Sequence, residues 1–217
     1  MFFKILIFLL LFIKSSYAHE LRPAIANLNI YEKNNITNAS LTIRLNLEAI
    51  IAGVDSGHSN TEDSEKSDEY DNLRNMSTAE LLEKFNSKII NLQNKVYLTS
   101  ASSSYSLVLM NIDIPKVGNT DIIRDTIINF DIKDIKDKDL KFSWDKDLGS
   151  IILRVNSKNN EDLYSKLIET GEVSDWFSLT DKREEKFTDN IKSYTQLGFK
   201  HIIPKGLDHI LFVLALF

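Results

Sequence analysis

The chain has 217 residues, of which 43% are hydrophobic and 26% are charged, and its formal net charge is −5. This composition supports a folded core and excludes an intrinsically disordered protein. The negative charge, with no Lys/Arg-rich patch among aromatics, argues against nucleic acid as a partner. The chain has no cysteine, so disulfides cannot stabilise it. The oligomeric state stays open.

Residues 1–18 have the pattern of a secretory signal peptide. Lys4 precedes an apolar run from Ile5 to Ile13, and Ala18 occupies the small-residue position before a cleavage site. We therefore expect an exported protein whose mature chain begins at His19. The alternative is an uncleaved membrane anchor, which the shortness of the apolar run disfavours.

Cleavage after Ala18 would give His19 a free α-amine beside its imidazole. Two neutral nitrogen donors on one residue form a chelate that suits copper or nickel. The sequence therefore makes His19 a candidate metal ligand. The alternative is that His19 is simply the residue that follows the cut.

Two segments, residues 25–32 and 40–50, alternate apolar and polar side chains with a period of two. Residues 34–38 between them are rich in asparagine, which favours a turn. The pattern predicts a β-hairpin.

Residues 53–71 contain seven acidic side chains, one lysine and His58. The segment lacks a hydrophobic period, so we predict a solvated acidic loop. The alternative is a loop that collects cations, although the spacing is not that of an EF-hand.

An amphipathic helix is predicted directly after this segment. Ser77 and Glu80 form a capping-box pattern, and Leu81, Phe85 and Leu92 recur at helical spacing. The helix should run for roughly four turns and pack its apolar stripe on a sheet.

Short strand patterns then continue to residue 179. They cover residues 105–115, 126–135, 140–147, 150–155, 163–170 and 173–179. With the hairpin they give about eight strands, so we predict a mainly β fold over residues 19–185, an antiparallel β-sandwich with one amphipathic helix. We expect Trp144 and Trp176 to belong to its core. The segment has no G-x-S-x-G, H-E-x-x-H or Gly-rich phosphate loop, so we expect neither an enzyme nor a tightly bound cofactor.

The C-terminal residues combine ionisable and apolar side chains. Residues 186–203 predict a juxtamembrane amphipathic segment, and residues 210–217 are all apolar. His201, Asp208 and His209 lie at the start of this apolar run. Ionisable groups there are costly and indicate a site for a metal, an ion or a proton. The alternative is a polar cap on the helix.

Pro204 favours a helix that begins at this residue, because proline is tolerated at the first helical position. Residues 204–217 would then span about 21 Å, which is less than the roughly 30 Å of a hydrocarbon core. We therefore expect an incomplete first transmembrane helix and a chain that is a fragment of a longer polytopic protein.

The same C-terminal stretch, LGFKHIIPKGLDHILFVLALF, resembles the first membrane helix of the HupE/UreJ-type hydrogenase/urease accessory membrane proteins, in the branch with an N-terminal periplasmic domain. The segments AHELRPAIANL and Phe142–Leu179, which includes Gly171-Glu-Val-Ser174, resemble that periplasmic domain. The resemblance implies a nickel or cobalt permease or metal-handling role. It assigns the family's His and Asp-His positions to His201, Asp208 and His209.

These observations predict a bacterial inner-membrane protein with residues 19–200 on the periplasmic side, which transports or handles Ni²⁺ or Co²⁺ for metalloenzyme maturation. The bilayer and the metal ion are its expected partners. A different class remains open: a membrane-tethered module that binds a protein, or copper at His19, without transport. A membrane metalloenzyme is a third possibility.

Overall fold

The computed structural model describes residues 21–54, 61, 64–159 and 161–180. In these ranges the chain forms, in order, β1 (Ala24–Lys33), β2 (Ile36–Asn46), α1 (Leu47–Ala52), α2 (Ser67–Arg74), α3 (Thr78–Gln93), β3 (Val96–Thr99), β4 (Ser104–Tyr105), β5 (Val108–Asp113), β6 (Asp125–Ile132), β7 (Asp139–Trp144), β8 (Ile151–Asn156), β9 (Asp162–Ile168) and β10 (Phe177–Ser178).

The strands form two sheets. One has six strands in the order β5-β6-β2-β1-β8-β9, and the other has four in the order β10-β7-β3-β4. The prediction of a mainly β fold is confirmed. The prediction that all strands pair antiparallel is wrong for one pair, because β1 and β8 run parallel with Ala24 opposite Ile151. This pairing joins distant segments, and the alternation of polar and apolar residues does not encode which strand becomes a neighbour.

The predicted hairpin is β1–β2. Its turn residues Asn34 and Asn35 have φ values of 55° and 60°, the left-handed conformation that a two-residue hairpin turn needs and that asparagine tolerates. In the register that this turn sets, Leu28 lies opposite Leu41 and both side chains are buried. Burial of each such leucine contributes roughly 1.5–3 kcal/mol.

Buried apolar side chains of both sheets belong to one core. The largest include Phe130 of β6 and Phe142 of β7, and Trp144 is buried beside Phe142, with ring centroids 6.4 Å apart. The prediction of a core position is thus confirmed for Trp144. Trp176 is only partly buried, and its ring centroid lies 5.0 Å from the Nζ of Lys141. One face of this indole therefore contacts a cation rather than the core.

The predicted amphipathic helix is α3, and its capping box is formed. The backbone N–H of Ser77 donates to Glu80 Oε2 at 2.8 Å, and the N–H of Glu80 donates to Ser77 Oγ at 3.3 Å. Leu81 and Phe85 are buried, as the helical spacing predicts.

Two further helices correct the prediction of a single helix. α1 occupies residues expected to end a strand, because Asn46 Oδ1 accepts a hydrogen bond from the N–H of Ala49 at 3.2 Å and so caps a helix. Gly53, with φ of 73°, ends it in the left-handed conformation. The local cap thus overrides the continuing alternation of Leu45 and Leu47.

The prediction of a solvated loop over the acidic segment, residues 53–71, is also wrong in part. Residues from Ser67 onward form α2, and Thr61, Ser64 and Tyr70 are buried. Tyr70 and Leu73 are two apolar anchors one turn apart, and a window that stops at residue 71 misses the second. The acids at residues 55, 62 and 63, together with His58, lie outside the described residues.

One end of the six-stranded sheet, here called the N-terminal end, is where β1 begins. The N–H of Ala24 donates to the carbonyl of Ser150 at 3.0 Å, and Asn46 at the close of β2 lies opposite Asp125 at the start of β6. α1 follows Asn46 at this end.

The opposite end, here called the C-terminal end, holds the β1–β2 turn. Beside the turn, the N–H of Ile135 donates to the carbonyl of Thr37 at 2.8 Å. Three residues later, the carbonyl of Lys138 accepts from the N–H of Leu179 at 2.8 Å. The described chain thus enters the fold at one end and leaves β10 at the other.

Candidate functional site

The residues predicted to bind metal, His19, His201, Asp208 and His209, all lie outside the described residues. Their roles remain predictions from the sequence. Over residues 21–54, 61, 64–159 and 161–180, no group of three or more His, Cys, Asp or Glu side chains is arranged to hold a metal ion. In the same ranges, no helix is long and apolar enough to cross a membrane.

A cavity of about 60 Å³ lies at the N-terminal end. Its wall includes apolar side chains of Leu21 and Ile50 together with polar groups of Arg22, Asn46 and Asp147. A space of this size holds a few water molecules or a small group, and the mixed lining suits a ligand with both polar and apolar parts.

Beside this cavity, Lys95 pairs with two carboxylates. Its Nζ lies 3.2 Å from Asp145 Oδ1 and also contacts Asp147 Oδ2. The hydrogen bond that Lys95 donates to Asp147 is the largest contribution that raises the pKa of Lys95, so the ammonium stays charged. The pKa of Asp145 is lowered chiefly because its carboxylate accepts the backbone N–H of Asp147 at 2.9 Å. These contacts fix the turn between β7 and β8.

A buried ion pair ties the β2–α1 junction to the other two helices. Arg124 Nε lies 2.6 Å from Glu48 Oε1, and both side chains are almost completely buried. The same guanidinium donates to the carbonyls of Met76 at 3.0 Å and Leu73 at 3.4 Å. Its donors are thus directed at protein groups, and the arrangement holds α2 and α3 in place.

A second buried arginine holds the connection between β5 and β6. Arg74 Nη2 donates to the carbonyl of Thr120 at 2.6 Å and also contacts the carbonyl of Ile122. Sequence reasoning missed both arginines, because arginine is ordinarily exposed and the groups that bind each guanidinium lie far away in the sequence. The available signal was that each arginine directly follows an apolar residue, Leu73 or Ile123.

The G-E-x-S motif has a structural role in the described fold. Gly171 has φ of 81°, and Ser174, which is 3% exposed, forms three hydrogen bonds. Its N–H donates to the carbonyl of Phe142 at 2.9 Å, its Oγ accepts the N–H of Phe142 at 2.8 Å, and the hydroxyl donates to the carbonyl of Asp175 at 2.8 Å. The motif therefore joins the segment before β10 to β7.

Tyr105 also joins two segments by hydrogen bonds, at the C-terminal end. Its hydroxyl donates to Asp137 Oδ2 at 2.5 Å and accepts the N–H of Asp137 at 3.2 Å. This hydroxyl is the main cause that lowers the pKa of Asp137. The pair organises the connection between β6 and β7.

Comparison with protein families gives a match in the C-terminal part of the chain. The family described as HupE / UreJ protein matches residues 178–217. Comparison with curated proteins gives no match. The matched segment contains His201, Asp208 and His209, and it overlaps the described structure only at residues 178–180. Proteins of this family are membrane proteins with roles generally linked to nickel or cobalt. The match confirms the resemblance to HupE/UreJ-type proteins that the C-terminal sequence predicted.

Proposed function

We propose that the chain is part of a bacterial inner-membrane protein that moves or delivers Ni²⁺ or Co²⁺ for metalloenzyme maturation. The observation that supports this function is the position of the family match, which covers all three C-terminal donor residues. Imidazole nitrogens suit both ions. The carboxylate of Asp208 would reduce the cost of bringing a dication into a low-dielectric segment.

The β-rich part would be the periplasmic portion of this protein, with its two sheets as the layers of a sandwich and residues 19–200 outside the cytoplasm. Its shared apolar core and its many backbone hydrogen bonds support a unit that is stable without disulfides. Residues 204–217 would begin the first transmembrane helix.

Metal uptake in cells that make the complete membrane protein tests the proposal. Asp208→Asn and His209→Ala should each strongly reduce nickel or cobalt uptake per inserted molecule, because each removes a donor and the first also removes the compensating charge. Lys205→Gln changes a nearby charge without removing a donor, and it should retain uptake. Unchanged uptake per inserted molecule in both donor variants would overturn the proposal, since a helix cap predicts lower abundance and not slower transport.

A further inference from the structure

The face of the six-stranded sheet that points away from the core carries an unbroken line of polar side chains. Side chains alternate between the two faces of a strand, so the neighbours of the buried Leu28 and Leu41 point outward. In the register from β5 to β9, the outward residues opposite one another are Asn111, Asn129, Thr42, Asn27, Arg154 and Ser165, here called the polar row. All six are half-buried or exposed. Five strand spacings of about 4.8 Å give the row a length of about 24 Å.

Apolar side chains lie beside the polar row on the same face, toward the N-terminal end. Two positions away on their strands, the register aligns Ile127, Ile25, Ile152 and Leu167, here called the apolar row. These four side chains are half-buried, and Arg44 of β2 lies between Ile127 and Ile25. A ligand that lies across the strands would therefore meet hydrogen-bonding groups along its length and apolar groups along one side.

Hydrogen bonds between side chains hold this face in place and leave other polar groups available. Thr42 Oγ1 donates to Asn129 Oδ1 at 2.7 Å, and the amide of Asn156 donates to Asn29 Oδ1 at 2.9 Å. Both bonds orient an asparagine whose NH₂ group can still donate. Within the part of the chain that the structure describes, the side-chain amide of Asn27 has no hydrogen-bond partner. The centre of the polar row thus presents oriented donors and acceptors to a ligand.

The charges on this face do not favour a phosphate-rich ligand. Over residues 25–31, 38–44, 125–131 and 152–156, its charged side chains are Arg44, Arg154, Asp125 and Asp131. Two positive charges thus offset two negative charges, and Arg44 Nε lies 3.8 Å from Asp125 Oδ2. The edge strands add the exposed carboxylates of Asp113 and Asp162. Because no excess of positive charge is present, hydrogen bonds and apolar contacts must provide the affinity.

We propose that this face binds a neutral polysaccharide chain, which lies across the six strands along the polar row. A sugar hydroxyl both donates and accepts hydrogen bonds, as the asparagine, serine and threonine side chains of the face do. The C–H groups of a pyranose ring are apolar and would pack against the apolar row. An extended peptide, by contrast, satisfies its backbone groups at the edge of a sheet and not on its face. The site requires neither a metal nor the C-terminal donors, so it goes beyond the proposed transport function.

Isothermal titration calorimetry of the full chain tests the proposal, in a detergent without a sugar head group so that the micelle does not compete. The probes are cellohexaose, chitohexaose and maltohexaose, and at least one should bind. Asn27→Ala and Asn129→Ala should each raise the Kd of that sugar about threefold to tenfold, because each removes amide hydrogen bonds. Asn86→Ala makes the same change at an exposed position of α3 and should leave the Kd unchanged. Absence of binding by all three sugars at millimolar concentration, or equal Kd values in the Asn27 and Asn86 variants, would overturn the proposal.

Salt and a peptide separate the neutral sugar from other ligands. The Kd should agree within about twofold between about 0.05 M and about 0.5 M sodium chloride, because no ion pair forms on binding. A steep rise in Kd with salt would overturn the neutral class of ligand. A capped peptide of alternating valine and threonine should not bind, and its binding with loss in Asn27→Ala would assign the face to peptides instead. No metal is present in these titrations, so failure of the transport proposal would leave the result unaffected, and absence of sugar binding would leave metal uptake unchanged.

Discussion

Arg124 and Glu48 form an ion pair 2.6 Å long that is almost completely removed from solvent. The pair joins the residue that immediately precedes β6 to the first turn of α1, and the same guanidinium donates to the carbonyls of Leu73 in α2 and of Met76 just after it. α1 and the end of α2 are therefore attached to the start of β6 through a buried ion pair as well as through apolar contacts.

Glu48→Gln should destabilise the fold by about 3–5 kcal/mol, because it leaves the Arg124 charge buried without its partner. Urea denaturation of the chain measures this change. The matched control is Lys158→Ala, which removes the exposed Lys158–Glu32 pair, 3.2 Å long, and should cost less than about 1 kcal/mol. Similar decreases in the free energy of unfolding for Glu48→Gln and Lys158→Ala would show that burial does not make the Glu48–Arg124 pair more important for stability than an exposed pair.

Ser174→Ala should destabilise the fold by about 1–3 kcal/mol, because the N–H of Phe142 is buried and would lose the Ser174 Oγ acceptor. Ser165→Ala on the exposed side of β9 provides a control with the same chemical change and should shift stability by less than about 0.5 kcal/mol. Thermal unfolding followed by circular dichroism compares them. A Ser174→Ala protein as stable as the control would contradict the structural role of the G-E-x-S motif.

Gly53→Ala should cost about 1–2 kcal/mol through backbone strain alone. Gly53 has φ of 73°, and an added Cβ would meet no atom within 4 Å, so no steric contact adds to the cost. Gly53→Asn should cost less, since asparagine tolerates this conformation. Gly118→Ala is the matched control, because its added Cβ also has open space but its φ is not in the left-handed region. Its unfolding free energy should stay within about 0.5 kcal/mol of the parent.

The capping box predicts a specific acid dependence. The hydroxyl and N–H of Ser77 hold the pKa of Glu80 below its usual value. A lowered folded-state pKa stabilises the fold above the unfolded-state pKa, near 4.3, and that contribution disappears as the pH falls through the folded value. Ser77→Ala should therefore raise the pKa of Glu80 toward its usual value, which an NMR titration of the side chain measures. An unchanged pKa of Glu80 in the Ser77→Ala protein would contradict this role of the capping box.

His201→Ala distinguishes two arrangements at the membrane entry. If the helix is continuous through Pro204, His201 and Asp208 share a face two turns apart, and loss of either should reduce metal uptake equally. If the helix begins at Pro204, as the proline favours, loss of His201 should have a mild effect. We expect the mild effect, and uptake per inserted molecule in the His201→Ala and Asp208→Asn proteins decides between the two.

Local signals in the sequence were sufficient to predict the elements that depend on contacts between residues close together in the chain. Asn34 and Asn35 predicted the hairpin turn, and Ser77 with Glu80 predicted the start of α3, because each of these contacts joins residues within three positions. The helix α1 was missed because the side-chain cap at Asn46 outweighs a strand-like alternation of leucines. Whether the helix cap or the strand pattern prevails depends on where the residues after Asn46 can be buried in the folded chain.

Long-range contacts could not be predicted in the same way. The position of β8 beside β1 and the bond from Arg124 to Glu48 depend on the folded arrangement of the whole chain. The candidate metal ligands were identified from residue chemistry and family resemblance alone.

The parallel pairing of β1 with β8 also determines when this fold can be completed during synthesis. The side chain of Asn156 donates to Asn29 Oδ1 at 2.9 Å although the two residues are 127 positions apart. A chain that leaves the ribosome from its N-terminus delivers β1 and β2 early but must wait for residues 151–156 before β1 has its second neighbour. Until then one side of β1 offers unpaired backbone groups to other chains or to a chaperone.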